Sequence, residues 1–271
     1  MAPQKRDYEL AFEDHFDSPE LNLKNWIPVY LPQWSSTEKS RPGYLIRDSK
    51  LVLQITENQQ PWCPEFNGDV KCSNLQTGLF SGPVGSTVGQ HRFSKELRVR
   101  EEQTAKHTYL PQYGFFEIRC RVPMLGADNV AALWMIGFED QPNRSAEICI
   151  VELIGEKQPR HGAKVGYGTK PFADPKIKGD FYEDEFDLNL ADFHTYGAEW
   201  TPEWIDFYID GKKTRRIYES PDYPMQLMLN LYEVPVRGHS NSSNKYPIEF
   251  EIDYVRGYSK KLHTTSALVF R

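Results

Sequence analysis

Two glutamates interrupt an apolar, strand-like run near the middle of the chain. Glu147 and Glu152 lie in "AEICIVELIGE", residues 146–156, with Cys149 between them. A buried carboxylate is costly unless it is paired or used, so the pair is a candidate for acid–base or nucleophilic chemistry. The alternative is that both side chains face solvent on an ordinary strand, and the spacing alone favours neither interpretation.

The local backbone decides whether these two side chains can act together. In a regular strand Glu147, Cys149 and Val151 share one face, and Glu152 points to the other. One extra residue before Glu152, a β-bulge, returns both carboxylates to one face, and bulges are common beside active sites. The two Cα atoms are then roughly 13 Å apart. Side chains that lean together reach the ~5–5.5 Å separation of retaining glycosidases, where one carboxylate attacks the anomeric carbon and the other transfers protons.

Runs with a period of two residues dominate the chain and predict β-strands. They are 50–56, 114–123, 203–218, 225–233 and 248–259. The Asp210-Gly211 pair predicts a hairpin turn within the third run, and 57–112 is expected to mix short strands with loops. Helical periodicity is scarce, and neither a repeat nor a shift in composition marks a boundary. We therefore expect one all-β domain over residues 1–271, an antiparallel β-sandwich of the jelly-roll type.

The overall composition excludes several classes of partner. The net charge is −6, and the sequence has no basic stripe that could follow a phosphate backbone, so no nucleic-acid partner is expected. No apolar run approaches the ~20 residues that cross a bilayer. The opening "MAPQKRDYEL" lacks the apolar core of a secretory signal, which leaves synthesis in the cytosol or a signal already removed. Aromatic residues make up 13% of the chain, which suits both β-sheets and a sugar-binding cleft.

The four cysteines give no clear metal or redox motif. Cys63 and Cys72 flank a loop in which a disulfide is sterically plausible and a reduced pair nearly as plausible. Cys120 and Cys149 lie in strand-like runs, where cysteine behaves as a small buried hydrophobe. A metal site at Cys149 is not expected, because no His or Cys ligand is suitably spaced around it.

Several segments, in order along the chain, resemble one known family. They are "LAFEDHFDSPELNLKNW" (10–26), "YGFFEIRCRVP" (113–123), "AALWMIG" (131–137), "AEICIVELIG" (146–155), "DFHTYGAEWTPEWIDFYIDGK" (192–212), "LMLNL" (227–231) and "IDYVRGY" (252–258). Together they resemble glycoside hydrolase family 16, the laminarinase and lichenase family, whose catalytic strand reads Glu-x-Asp-x-x-Glu. The resemblance implies a concanavalin A-like jelly roll with a concave substrate cleft. It also implies a secreted or extracellular protein, although a cytoplasmic location stays open because no signal peptide is seen.

The resemblance assigns a role to each residue of the pair and to others around it. Glu147 is expected to be the nucleophile and Glu152 the acid/base of a retaining endo-glycosidase that works by double displacement. The residues expected to line the cleft and bind sugar are Glu117, Arg119, Trp134, Tyr167, Asn230 and Tyr232. The alternative for Glu117 and Arg119 is a surface ion pair of little energetic value, and the alternative for Trp134 and Tyr232 is packing in the core. His194 and Trp200 also match the family and are interpreted as packing residues.

Cys149 departs from the family, which has Asp at this position on the face of the nucleophile. A thiol is a weak donor and is uncharged when protonated, so Glu147 loses a supporting carboxyl group. Three interpretations stay open: an enzyme with a weaker helper and reduced activity, a binding protein that keeps the cleft, or a site in which another group takes the role of Asp. A second departure is Gly166, where the family often has His.

The predicted substrate is a β-linked polysaccharide, most readily β-1,3- or mixed β-1,3/1,4-glucan. A carbohydrate-binding protein with weak or lost hydrolysis is the alternative, and a polysaccharide lyase is disfavoured because its other signatures are missing. The loops 27–45, 57–112 and 234–247 distinguish substrates in this family, and they contain no readable code. No cofactor is expected to be required and no catalytic metal is predicted. A structural calcium stays open, with Asp253 at one calcium position and His15 a poor ligand. A monomer is the default.

Overall fold

The computed structural model describes residues 7–235 and 245–261. Two antiparallel sheets face each other and form a β-sandwich of the predicted jelly-roll type, with one short helix, α1 (Pro64–Asn67), and two single 3₁₀ turns in the described part of the chain. None of the described helices is long and apolar enough to span a membrane. The all-β prediction is confirmed.

The first sheet contains the predicted catalytic strand. Its six strands, in spatial order, are β11 (Asp180–Phe186), β10 (Ala163–Pro171), β9 (Ala146–Ile154), β8 (Asn129–Gly137), β15 (Met225–Glu233) and β4 (Lys71–Gln76).

The second sheet covers the first on one side. Its path of neighbouring strands is β14 (Lys212–Ile217), β13 (Ile205–Ile209), β12 (His194–Trp200), β7 (Gly114–Arg121), β16 (Ile248–Lys260), β3 (Leu51–Ile55) and β2 (Gly43–Ile46), and β1 (Tyr8–Asp14) also pairs with β16. A separate pair of two-residue strands is β5 (Gly78–Leu79) and β6 (Lys106–His107).

The main core lies between the two sheets and follows from strand alternation. In β7, for example, Phe116, Ile118 and Cys120 point inward, and the residues between them are polar or exposed. In β9 the inward residues include Ile148 and Val151. Burial of these apolar side chains is the main stabilising contribution of the sandwich.

A second apolar cluster covers the outer face of the six-stranded sheet. Trp134 and Cys149 belong to it with other side chains of the sheet, and segments before and after β4 supply further members, among them Trp34, Trp62 and Leu97. The outer face of β9, the predicted catalytic strand, is therefore only partly open, and the uncovered part forms a cavity. Most of 57–112 supplies this cover as loops and short elements, as predicted, although β4 is a full strand of the sheet.

The predicted hairpin is present. Asp210 and Gly211 form a two-residue loop between β13 and β14, with φ of 47° and 72°. Both residues have the positive φ of the turn type that matches strand twist, and glycine adopts it without steric cost.

Candidate active site

The bulge predicted between the two glutamates is present in β9. Trp134 of β8 pairs with Cys149, and the preceding residue of β8, Leu133, pairs with Val151. Ile150 is therefore the extra residue in β9. The register of the pairing between β9 and β10 shifts at the same place. The bulge turns Glu152 to the outer face of the sheet, beside Glu147.

A lysine lies between the two carboxylates. Lys170 of β10 is paired with Glu147, and its Nζ lies 3.2 Å from Glu147 Oε1, 3.1 Å from Glu152 Oε1 and 3.3 Å from Glu152 Oε2. The two Oε1 atoms are therefore at most about 6.3 Å apart, the sum of these two distances, which permits the ~5–5.5 Å separation of the retaining glycosidases.

Both glutamates line one cavity of about 290 Å³ on the outer face of the sheet. The other lining residues are Tyr30, Asn67, Val70, His91, Val130, Ala132, Trp134, Tyr232 and Val234. Aromatic walls with a few polar groups are typical of small-ligand sites. Residues 236–244 of the predicted specificity loop 234–247 lie outside the described residues.

Trp134 lies in this cavity next to the glutamates, where the sequence places it. Its ring is 5% exposed, and its Nε1 donates a hydrogen bond to Asn230 Oδ1 at 2.6 Å. Asn230 is fully buried, and its Nδ2 donates to Cys72 Sγ at 3.4 Å. The amide is thus engaged within the protein beneath the indole. The prediction that Asn230 itself contacts sugar is wrong in this structure, because its oxygen holds the tryptophan instead.

Tyr232 lines the cavity as predicted, together with Tyr30, which sequence reasoning missed. The Tyr232 hydroxyl donates to the Tyr30 hydroxyl at 3.2 Å, and the rings meet edge to face with centroids 5.6 Å apart. Burial raises the pKa of both phenols above the usual value, so both stay neutral hydrogen-bonding groups.

The environment of Glu147 favours its protonated form. The residue is 6% exposed, and burial raises the pKa of its carboxyl group to about 7. The nearby Glu152 acts in the same direction, and the Lys170 ammonium acts against both. At neutral pH this carboxyl group is therefore poised between its two states.

Cys149 lies under the pair and makes no hydrogen bond to it. The side chain is fully buried, and its Sγ is 4.0 Å from the carbonyl oxygen of Gly166. Burial raises the pKa of the thiol well above its usual value, and the two glutamates reinforce this. Because a nucleophilic cysteine needs its thiolate, Cys149 is a neutral packing group at this site.

Two of the predicted cleft residues lie on the wrong sheet. Glu117 and Arg119 belong to β7, in the second sheet, and point away from the core. Arg119 forms an ion pair with Asp253, and Glu117 lies 3.6 Å from the guanidinium of Arg256. The prediction that they line the cleft is wrong, because strand alternation fixes which of their faces is polar but cannot tell which sheet the strand joins.

Tyr167 is also wrongly placed by the sequence. It is 2% exposed, packs in the core between the sheets with its ring centroid 5.2 Å from that of Phe207, and donates its hydroxyl hydrogen to Asp184. Its neighbours Gly166 and Gly168 occupy the outer face of β10. Alternation puts Lys170 on that outer face as well, and it is Lys170, two residues after Gly168, that contacts both glutamates.

A second cavity of about 500 Å³ adjoins the first, beyond the Glu147 end of β9. His91 separates the two, with its ring centroid 5.4 Å from Trp134 and 4.5 Å from Phe172. Burial and the Lys170 charge lower the pKa of His91 to about 4, so the ring is neutral. Glu139 lines the second cavity and accepts hydrogen bonds from His91 N and Ser145 Oγ, both at 3.0 Å.

The remaining sequence predictions concern cysteines, packing residues and metals. Cys63 and Cys72 are buried free thiols, which is the reduced alternative. Trp200 is buried in the main core, as predicted, and His194 bonds Asp210 on the surface. No group of three potential metal ligands occurs in the described ranges. Asp253 is engaged by Arg119, and a calcium site stays a prediction.

Sequence reasoning missed Lys170, Tyr30 and His91. For Lys170 a signal exists: in "AKVGYGTKP" it shares the face of Gly166 and Gly168 by alternation, and that face meets β9 if the two strands are neighbours. For the other two there is none, because both lie in loops whose path is set by tertiary packing.

The chain is similar in sequence to one protein family and to characterised proteins. The model of the family described as "Glycosyl hydrolases family 16" matches residues 65–256. A β-glucanase of Acetivibrio thermocellus is 43% identical over 72 residues, which is 25% of this chain and 21% of that protein. The match thus spans about a fifth of the length of this curated relative.

Two solved structures are similar over nearly the whole chain. A GlcNAcα1-4Gal-releasing endo-β-galactosidase from Clostridium perfringens has 30% identity and a TM-score of 0.82, over 95% of this chain and 64% of that one. A laminarinase from Flavobacterium sp. UMI-01 has 19% identity and a TM-score of 0.63, over 93% of this chain and 100% of that one. At this identity the second likeness shows the fold alone.

Proposed function

The chain belongs to glycosyl hydrolases family 16, and from that membership and the geometry of its glutamate pair we propose that it is a retaining endo-glycosidase acting on a β-linked polysaccharide. The observation that supports the proposal best is the bulge at Ile150, which brings Glu147 and Glu152 to one cavity with their nearest oxygens at most about 6.3 Å apart. An inverting enzyme needs a wider gap to fit a water molecule between substrate and base.

In the proposed mechanism Glu147 is the nucleophile and Glu152 the acid/base, as the family pattern implies. A Glu147 oxygen attacks the anomeric carbon while the glycosidic C–O bond breaks, and Glu152 gives its proton to the departing oxygen. A water molecule then attacks the same carbon, Glu152 takes a proton from it, and the bond to Glu147 breaks. Two inversions restore the β configuration.

The pKa of Glu147 predicts the acidic side of the pH profile. Attack requires the ionised carboxylate, and burial raises the pKa of this group to about 7. We therefore expect kcat/KM to rise with pH and to reach half of its plateau near pH 7 on the acid limb.

β-1,3- or mixed β-1,3/1,4-glucan is the substrate class that the sequence motifs predict, and glucanases among the relatives support it. A second candidate is an internal β-galactoside, because the endo-β-galactosidase shares 30% identity with this chain over 95% of its length. A polymeric substrate agrees with an extracellular location, and we propose that the protein acts as a monomer.

The competing proposal is a carbohydrate-binding protein without turnover. Its support is Cys149, which contributes neither a charge nor a hydrogen bond to Glu147. It predicts an occupied cavity and no release of new reducing ends.

The test is reducing-end release on laminarin, lichenan and a glycan capped with GlcNAcα1-4Gal, with Glu147→Gln as the blank. We expect release from at least one substrate, loss of at least a thousandfold in the blank, and a β-anomer as the first product in proton NMR. An α-anomer as the first product would overturn the retaining mechanism. Binding without release on any substrate would favour the competing proposal.

A further inference from the structure

Lys170 is held against the glutamate pair from three sides. Register places it opposite Glu147, its Nζ is within 3.3 Å of oxygens of both glutamates, and the ring of Phe181 lies 4.3 Å from Nζ. An ammonium over an aromatic face is attracted by the ring quadrupole. The position of this lysine is thus fixed by the two neighbouring strands, β9 and β11.

Gly166 makes room for this arrangement. A Cβ at residue 166 would come within 2.9 Å of the Phe181 ring and 3.3 Å of Glu152 Cβ. Without a side chain there, Phe181 can lie across β10 towards Lys170. The position at which the family often has histidine is therefore part of the support for Lys170.

Lys170, Glu147 and Glu152 form a trio whose total charge suits the reaction. One ammonium lies between two carboxyl groups, and Cys149 beneath them is neutral. The trio has no net charge when one of the two carboxyl groups is ionised. A partly buried site favours the neutral total, because uncompensated charge is costly there.

We propose that Lys170 is a positioning residue that pairs with whichever carboxylate is charged, and that it takes the place of the carboxyl group that Cys149 lacks. This inference rests on the proposed function. In the attacking state of the proposed mechanism, Glu147 is ionised and Glu152 holds the proton. After the glycosidic bond breaks, Glu147 is an ester, its charge is gone, and Glu152 has given up its proton and carries the charge instead. Lys170 contacts both oxygens and pairs with the charge in either state.

The groups that face Glu147 define what a titration will detect. They are Lys170, Glu152, Cys149, Tyr30, Tyr232 and His91. Within this described set only Lys170 is a cation at neutral pH, because the pKa of His91 is lowered to about 4. An opposite charge within hydrogen-bonding distance lowers a carboxyl pKa by about one to three units.

The experiment measures the titration of Glu147 directly, by carbon NMR of protein labelled at the glutamate carboxyl carbon, with Glu147→Gln to assign the signal. In Lys170→Met we expect the midpoint to rise by at least one pH unit. Lys170→Arg keeps the charge and should stay close to the wild type. Lys164→Met is the matched control, since Lys164 lies on the same strand and pairs instead with Glu185.

The activity profile gives the second readout. In Lys170→Met the acid limb of kcat/KM should move to higher pH by the same amount, with a loss of at least about fivefold at pH 7, and Lys170→Arg should restore the position of the limb. If the methionine variant does not fold, Lys170→Gln replaces it. An unchanged Glu147 midpoint in a folded, uncharged variant would overturn the inference. A wild type that releases no sugar would overturn the proposed function alone, because the NMR titration needs no turnover.

Discussion

Glu139 makes the free energy of unfolding of this protein depend on pH, and one substitution at this position can test that dependence. The side chain is 5% exposed, and burial raises its pKa to about 8, although it accepts hydrogen bonds from His91 N and Ser145 Oγ. The folded protein therefore holds this proton more tightly than the unfolded chain, in which the pKa is 4.5. The stability that this proton provides is complete below pH 4.5 and is lost as the pH rises towards 8.

The size of the effect follows from the difference between the two pKa values. At about 1.4 kcal/mol per unit, the shift corresponds to about 5 kcal/mol between the low-pH and high-pH limits. Between pH 5 and pH 9 the change is about 4 kcal/mol. Glutamine has the same shape and no ionisation. Its oxygen can accept from His91 N, and its NH₂ can donate to the Ser145 hydroxyl once that hydroxyl rotates.

We therefore expect Glu139→Gln to gain about 4 kcal/mol relative to the wild type on going from pH 5 to pH 9. Urea unfolding at a series of pH values, followed by tryptophan fluorescence with reductant present, gives the free energy of unfolding of each protein. The matched control is Glu156→Gln, which removes a carboxylate from an exposed position. Its difference from the wild type should vary little with pH.

The difference between the two curves is the decisive quantity, because other groups such as Glu147 contribute equally to both proteins. If the stabilities of wild type and Glu139→Gln run parallel from pH 5 to pH 9, the buried, protonated state of Glu139 is refuted. A variant less stable at every pH by a constant amount would show only a lost hydrogen bond.

Three further predictions concern the cavity and its surroundings. Asn230→Leu leaves the buried Trp134 N–H without its acceptor, so we expect a loss of about 1–3 kcal/mol of stability together with a higher KM, measured by urea unfolding and by sugar release. Cys149→Asp puts a third carboxyl group at a fully buried position beside two glutamates. We expect about 1–3 kcal/mol lower stability and no gain in kcat, and a gain would contradict the role given to Lys170. Glu117→Gln, on the other sheet, should leave kcat/KM within twofold of the wild type, and a tenfold loss would restore the prediction that it lines the cleft.

The positions of several strands along the chain and their local geometry can be predicted from the sequence. Alternation in "GFFEIRCR" shows which side chains point into a core, because successive side chains on a strand point to opposite faces. The Asp210-Gly211 hairpin is a local event, set by two residues that tolerate positive φ. The bulge in β9 was predicted by requiring both glutamates to share one face, and it is present.

Which strands pair with each other, and in which sheet, could not be predicted from the sequence. Glu117 and Arg119 read as cleft residues because they share a face, yet β7 belongs to the sheet that lacks the glutamates. Tyr167 lies between Gly166 and Gly168, which are on the outer face of the sheet, and a shift of one residue along the strand decides whether a side chain points to the core or to that outer face.

The sequence by itself determined the fold class, the two carboxylates and the need for a bulge between them, because each depends on residues close together in the chain. Only the tertiary structure decided which groups surround the pair. Lys170 contacts the pair from a neighbouring strand, Tyr30 and His91 line the cavity from two loops, and burial, with the charge of Lys170, sets the pKa of Glu147. Desolvation and charge pairing are properties of what is near in space, and the chain folds that neighbourhood together from segments that are far apart in sequence.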